Sequence, residues 1–186
     1  MPRLILLNGA PGVGKSTIAQ LYVEDHPLAL NLDIDLLRRQ LGHWTSNPEE
    51  SGLRARAIAL AAAAVHLRAG HDVVVPQYLG RLTLIEQLEQ VATETGVPFR
   101  EAVLMTTRDE AVRRFDQRTR AAIESTHVEA WRMTDPGQGL DDVGAMYDRL
   151  LTMLDQRPTA VVIDTVTDDP VATYERLLDA LGERKP

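Results

Sequence analysis

Gly9, then four residues, then Gly14-Lys15-Ser16: the run from Arg3 to Thr17, RLILLNGAPGVGKST, carries the residue types needed to hold a polyphosphate. Gly9, Gly12 and Gly14 permit positive φ and bring no side chains, so successive backbone N–H groups can converge on phosphate oxygens. A helix starting directly after them adds unsatisfied donors and partial positive charge. The ammonium of Lys15 has the reach for β- and γ-phosphates, and the hydroxyl of Ser16 is a ligand type for Mg²⁺. The candidate nucleotide-binding set is therefore Gly9, Ala10, Pro11, Gly12, Val13, Gly14, Lys15, Ser16 and Thr17. Lys15 is also the only lysine before Lys185 in a chain that otherwise uses arginine. A compact ammonium stands where a planar guanidinium is no substitute.

Such a loop works only between a strand and a helix, and the flanks supply both. Leu4 to Leu7 is a short apolar run that reads as a buried parallel strand, and Ser16 to Val23 opens as a helix with Ile18, Ala19, Tyr22 and Val23 apolar. A second buried strand is expected at Leu28 to Leu32 after His26-Pro27, running into Asp33-Ile34-Asp35 and an amphipathic segment, Leu36 to Leu41, that carries Arg38 and Arg39. In open α/β sheets ligands bind outside the carboxyl ends of the strands, which is where Asp33 and Asp35 fall. Either one alone is as good an N-cap as a catalytic group. Two carboxylates two residues apart turn the reading toward chemistry, and their order of duty, base or Mg²⁺ and water holder, stays open.

The remaining elements follow the same rhythm. His43 to Gly52 reads as a polar loop whose Trp44 either stacks on an acceptor molecule or packs back on the core. Leu53 to Ala69 is an alanine-rich helix ending at Gly70, Asp72 to Val75 a third strand, and Gln77, Tyr78 and Arg81 follow at its carboxyl end as candidate acceptor contacts. A helix from Leu82 to about Thr95, a fourth strand from Glu101 to Thr106 and a helix from Arg108 to Arg120 come next. On that last helix Arg114 and Arg118 share a face, where they repel unless an anion or the nearby Asp109, Glu110 and Asp116 intervene. Residues 121–139 read as a mobile segment, Leu140 to Asp155 as a helix, Thr159 to Ile163 as the fifth strand and Pro170 to Leu181 as the closing helix. Strand and helix alternate five times with apolar strands, the signature of a parallel sheet covered on both faces.

Composition narrows the function classes. The 186 residues fit one domain, and 44% hydrophobic with 25% charged content is that of an ordinary globular chain. Without cysteine there is no disulfide, thiolate metal site or cysteine nucleophile. The start, Met-Pro-Arg then a strand, has no secretion-signal layout, and the longest apolar run, Ala57 to Val65, is too short for a bilayer, so a cytoplasmic location with no membrane partner is expected. A formal charge of −7 argues against long nucleic acid, whose affinity comes from neutralising phosphates. A guanine-reading Asn-Lys-x-Asp segment is impossible with no lysine between Lys15 and Lys185, and the third strand ends Val75-Pro76-Gln77 with no Walker B acid.

The spacing at Gly9 to Ser16 is that of a Walker A loop, and with Asn31 to Arg38 and Arg113 to Arg118 the chain resembles the small P-loop kinases. That group includes bacterial polynucleotide 5′-kinases, chloramphenicol phosphotransferase and the nucleoside and shikimate kinases. The resemblance covers most of the chain in element order. It implies a three-layer α/β/α P-loop NTPase fold with a five-stranded parallel sheet in the order 2-3-1-4-5 and a helical lid at about 108–139. It further implies ATP and Mg²⁺ as cofactors; the residues themselves offer Ser16 as a metal contact and Asp33 either as a holder of an Mg²⁺ water or as the group that positions Asp35. Asp35 resembles the aspartate that activates the acceptor hydroxyl, Arg38 the arginine that contacts the acceptor, and Arg114 and Arg118 the lid arginines that stabilise the transferring phosphoryl group. The adenine would lie between the lid helix and the loop Asp164 to Asp169. Where polynucleotide kinases place an acid after the third strand this chain has Gln77, so the expected acceptor is a small hydroxyl-bearing molecule, with a polynucleotide 5′-hydroxyl kinase or a regulatory nucleotide-binding module as the rival readings.

Overall fold

The structure, a computed structural model, describes residues 1–124 and 140–183, leaving aside the side chains of 118–142. Five parallel strands form one sheet: β1 Leu4–Asn8, β2 Leu30–Asn31, β3 Val73–Pro76, β4 Phe99–Met105 and β5 Val161–Asp164, in the spatial order β2-β3-β1-β4-β5. β1 lies between β3 and β4, with Leu6 opposite both Val75 and Glu101. All five strand residues of β1 are buried, as a central parallel strand requires. Full burial of each leucine or isoleucine here contributes about 1.5–3 kcal/mol.

Alternate residues of the strands feed two cores. Leu4, Leu6, Val73, Val75, Val103 and Met105 face helices α3 (Pro48–Arg68), α4 (Leu82–Thr95) and α6 (Leu140–Leu154). Ile5, Leu7, Val74, Ala102, Leu104 and Ile163 face α1 (Lys15–Asp25), α7 (Pro170–Leu181) and Ala111 of α5 (Arg108–Glu124). The short helix α2 (Ile34–Arg39) joins β2 to α3. α3 meets the core through Ser51, Ala55, Ala59, Ala63 and Leu67, a stripe at four-residue spacing whose small side chains admit close approach. The three-layer arrangement and strand order thus agree with expectation. Among the described residues no helix is long and apolar enough to cross a membrane.

Several boundaries differ from the sequence reading: α2 covers Ile34–Arg39 rather than Leu36 to Leu41, β4 Phe99–Met105 rather than Glu101 to Thr106, and β5 Val161–Asp164 rather than Thr159 to Ile163. The second strand covers only Leu30–Asn31, because Leu28 adopts φ +62° and is turned outward. α3 begins at Pro48, inside the stretch read as loop: Asn47 precedes it, Pro48 fills the first helical turn, and Glu49 and Glu50 favour the positive end of the dipole. The segment expected to be mobile, 121–139, lies outside the described residues beyond position 124.

Candidate nucleotide and acceptor site

β1 delivers the chain to the carboxyl edge of the sheet, where residues 9–14 form the turn and Gly14, at φ +98°, opens α1. Gly14 offers no capping side chain, so the first-turn N–H groups of α1 have no side-chain acceptor and point at the space a phosphate would fill. Two glycines are fixed by their surroundings. A Cβ on Gly9 would sit 2.6 Å from the Leu104 carbonyl oxygen of β4, and one on Gly12 3.1 Å from both the Ala111 carbonyl oxygen and the Phe115 nitrogen of α5. At these two positions the loop is wedged against strand and helix with no room for a side chain. Lys15 Nζ donates to the carbonyls of Gly9 at 2.8 Å and Ala10 at 3.0 Å, folding over the loop. Ser16 and Thr17 are exposed on the first turn, while Ala10 and Val13 are buried beneath them.

The carboxylates sit at the end of β2. Asp33 is the N-cap of α2: its Oδ1 accepts the N–H of Asp35 at 2.9 Å and of Leu36 at 3.1 Å. Burial raises its pKa, with the Asp35 charge adding to the rise and the two backbone bonds opposing it. Asp35 is exposed in the first turn, with Gln77 Nε2 at 3.4 Å from its Oδ2. Gln77 follows β3 and is tied by its own N–H to the Leu7 carbonyl, which brings the segment after β3 against the strand that feeds the glycine-rich loop. The Tyr78 hydroxyl donates to the Met146 carbonyl of α6 at 3.0 Å, and Arg81 is exposed just before α4.

Arg38 and Trp44 come together rather than standing apart. Arg38 donates from Nε to Ser51 Oγ at 3.0 Å and from Nη2 to the Pro48 carbonyl at 2.8 Å, with its guanidinium 5.5 Å from the Trp44 ring centroid. The buried Ser51 hydroxyl in turn faces the carbonyls of Trp44 and Pro48, so this group closes the junction of α2 with α3. Ser51 carries no signal in the sequence because the polar residues around it read as a loop.

Arg114 lies on the opposite flank. Its Nε donates to Glu110 at 2.6 Å, and Nη1 and Nη2 reach the hydroxyls of Thr165 at 3.4 Å and Thr167 at 3.1 Å in the loop after β5. Its Cβ is among the atoms next to Gly12. Glu110 accepts from both Arg113 and Arg114, whose hydrogen bonds and charges push its pKa down to about 2. Glu110 thus offsets the charges of Arg113 and Arg114 on the same helix. The side chain of Arg118 lies outside the described residues. One further residue carried no signal beyond being polar at the end of an apolar strand: Asn8, wholly buried, whose Oδ1 accepts from the N–H groups of Gly9 at 2.8 Å and Leu79 at 2.9 Å.

Among the described residues no group of three or more His, Asp or Glu side chains is placed to hold a metal. Mg²⁺ paired with a polyphosphate needs few protein ligands, since phosphate oxygens and waters complete its octahedron. The exposed Ser16 hydroxyl beside uncapped helix donors fits that demand.

Comparison with known proteins agrees with this geometry. No curated protein matches the chain. Solved structures do, at identities that speak for the fold alone. The tunicamycin resistance protein of Deinococcus radiodurans superposes with a TM-score of 0.62 at 15% identity over 100% of both chains. A gluconokinase from Sinorhizobium meliloti 1021 gives 0.60 at 17% identity, over 97% of this chain and 92% of that one. A chain of the Pnkp1/Rnl/Hen1 RNA repair complex gives 0.62 at 18% identity over 83% of this chain, and here the match spans only 46% of the larger protein. The family model described as AAA domain matches residues 4–135, and the chain accordingly belongs to that family, with the fold of the P-loop kinases.

Proposed function

We propose that the chain is an ATP- and Mg²⁺-dependent phosphotransferase that moves the γ-phosphate to a hydroxyl of a small molecule such as an antibiotic or nucleoside. The observation that carries it is the shared edge: an uncapped α1 N-terminus under Lys15 and a pair of carboxylates, Asp33 and Asp35, both at the carboxyl ends of parallel strands of one sheet.

In this reading the backbone N–H groups of the loop receive the phosphates, and Lys15 exchanges the carbonyls of Gly9 and Ala10 for the β- and γ-phosphate oxygens. Mg²⁺ held at Ser16, with Asp33 as an outer contact, would neutralise charge between those phosphates. Asp35 orients the acceptor hydroxyl and takes its proton as the new O–P bond forms and the bond to the β-phosphate oxygen breaks, releasing ADP. Arg118 supplies positive charge to the transferring group. Arg114, bound between α5 and the loop after β5, serves the nucleotide side of that same charge. Gln77 holds Asp35, and Tyr78, Arg81 and Trp44 border the acceptor. A second assignment of the base, to Asp33, is favoured by its fixed geometry and raised pKa.

The similarity to an RNA repair complex favours a second acceptor class, a polynucleotide 5′-hydroxyl. Net charge of −7 and the engagement of Arg38 with Ser51 and Pro48 weigh against it. The test is transfer of labelled γ-phosphate from Mg·ATP to a panel of nucleosides, hydroxylated antibiotics, sugars and a 5′-hydroxyl oligonucleotide. Labelling of a small acceptor that barely responds to salt is expected. Labelling only of the oligonucleotide, falling steeply with salt, selects the second class. Tight ATP binding with no labelled acceptor at all would favour a regulatory nucleotide-binding module.

A further inference from the structure

Asn8 makes three hydrogen bonds while fully buried, and each goes to backbone. Its Oδ1 accepts the N–H of Gly9, the first residue of the phosphate loop, and the N–H of Leu79; its Nδ2 donates to the Leu79 carbonyl at 2.9 Å. One carboxamide oxygen therefore serves both its own neighbour Gly9 and Leu79, which lies 71 residues from Asn8 along the chain. Leu79 belongs to the stretch after β3 that holds Gln77 beside Asp35 and Tyr78 against α6. On the other side, the Gly9 peptide is gripped through its carbonyl by Lys15. Gly9 is thus held by its N–H to Asn8 and by its carbonyl to Lys15, so a displacement of this residue as Lys15 turns toward a phosphate bears on the carboxamide oxygen that Leu79 shares.

We propose that Asn8 is a positioning residue that couples the phosphate loop to residues 77–81, so that nucleotide binding orders the acceptor side of the site. The proposal rests on the nucleotide-binding reading above. A buried amide with three of its four hydrogen-bonding functions used in one bridge is a rigid link, since each bond it gives up leaves a backbone group without a partner. The substitution Asn8→Asp keeps the size and the accepting oxygen but sets a second oxygen against the Leu79 carbonyl; Asn8→Ser leaves a side chain too short to span the gap.

Hydrogen exchange of the purified protein, with and without Mg²⁺ and a non-hydrolysable ATP analogue, tests it. In wild type, amides in 9–17 and in 77–81 should both slow, by about tenfold, as expected when a locally opening segment is tied down. In Asn8→Asp and Asn8→Ser the analogue should slow 9–17 alone, with melting temperature recorded as the folding control. Slowing of 77–81 in the variants equal to wild type overturns the coupling, as does wild-type protection confined to 9–17. Wild-type protection confined to 9–17 overturns the proposal whether or not the variants fold, and protection of both segments is assigned to Asn8 by whichever of the two variants retains its melting transition. Protection of neither segment in wild type removes the nucleotide reading and the coupling with it.

Discussion

Nζ of Lys15 lies 2.8 Å from the carbonyl oxygen of Gly9, so the only lysine in the sheet-bearing part of the chain is bonded to the first residue of its own loop. The ammonium braces the turn. Lys15→Ala should abolish measurable γ-phosphate transfer, a loss of at least about 100-fold as for a missing preorganised donor, and should remove the rise in melting temperature that Mg·ATP gives. Near-normal turnover of the variant would dismiss the phosphate-loop assignment.

The two acids at the end of β2 are separable because asparagine caps a helix as well as aspartate does. Asp33→Asn should therefore fold with unchanged stability, and so should Asp35→Asn at an exposed position. With Asp35 as the base, Asp35→Asn lowers kcat by about 100-fold or more and leaves ATP affinity within a few-fold. The same pattern in Asp33→Asn, with Asp35→Asn mild, assigns the proton to Asp33. Steady-state kinetics on whichever acceptor is labelled decides between them.

Arg114 bridges α5 to Thr165 and Thr167, not to the carboxylate edge. Its replacement by alanine should raise the KM for ATP about tenfold, the loss of roughly one charge-assisted contact, while kcat falls less than threefold. A fall in kcat with KM unchanged would instead put this guanidinium on the transferring phosphoryl group. Glu110, held near 2, stays ionised throughout the neutral range, so no pH dependence between about 5 and 9 should trace to this clamp.

At the other end of the sheet Arg157 donates to the buried Glu101 at 2.8 Å and to Glu89 at 3.1 Å. Arg157→Ala leaves the Glu101 charge buried and should cost about 3 kcal/mol at neutral pH. Burial already raises the pKa of Glu101, and the arginine opposes that rise. An acid raised in the folded state takes up its proton there first, so the stability linked to it is present at low pH and lost as pH climbs through the raised value. Urea midpoints should show the deficit of the variant shrinking from about pH 7.5 to about pH 4.5, as the buried acid becomes neutral. A constant deficit would mean that lost packing dominates.

The strands, the loop and its helix were legible because they rest on short-range signals: apolar runs of strand length, glycines at fixed spacing, a Pro-initiated last helix; the order of the strands came from the resemblance to the small P-loop kinases. What stayed hidden depends on contacts across the chain. Leu28 is apolar yet points outward because the turn before β2 places it at positive φ. The Asn47-Pro48-Glu49-Glu50 helix start was written in the sequence, but the polar residues around it read equally as loop. Asn8 and Leu79 are joined by a bond between strand end and distant backbone, which no local pattern announces.

Gly9 and Gly12 touch main-chain atoms of β4 and α5. Tolerance to substitution should therefore be lopsided. Exchanging the side chains at 104, 111 and 115, within the limits of the core they share with Ala10 and Val13, leaves in place the atoms that press on the two glycines, because those are the ones every residue has. The two glycines have no such latitude. A saturation library scored for nucleotide-dependent survival would show a pair of blank columns at 9 and 12 facing permissive ones across the contact.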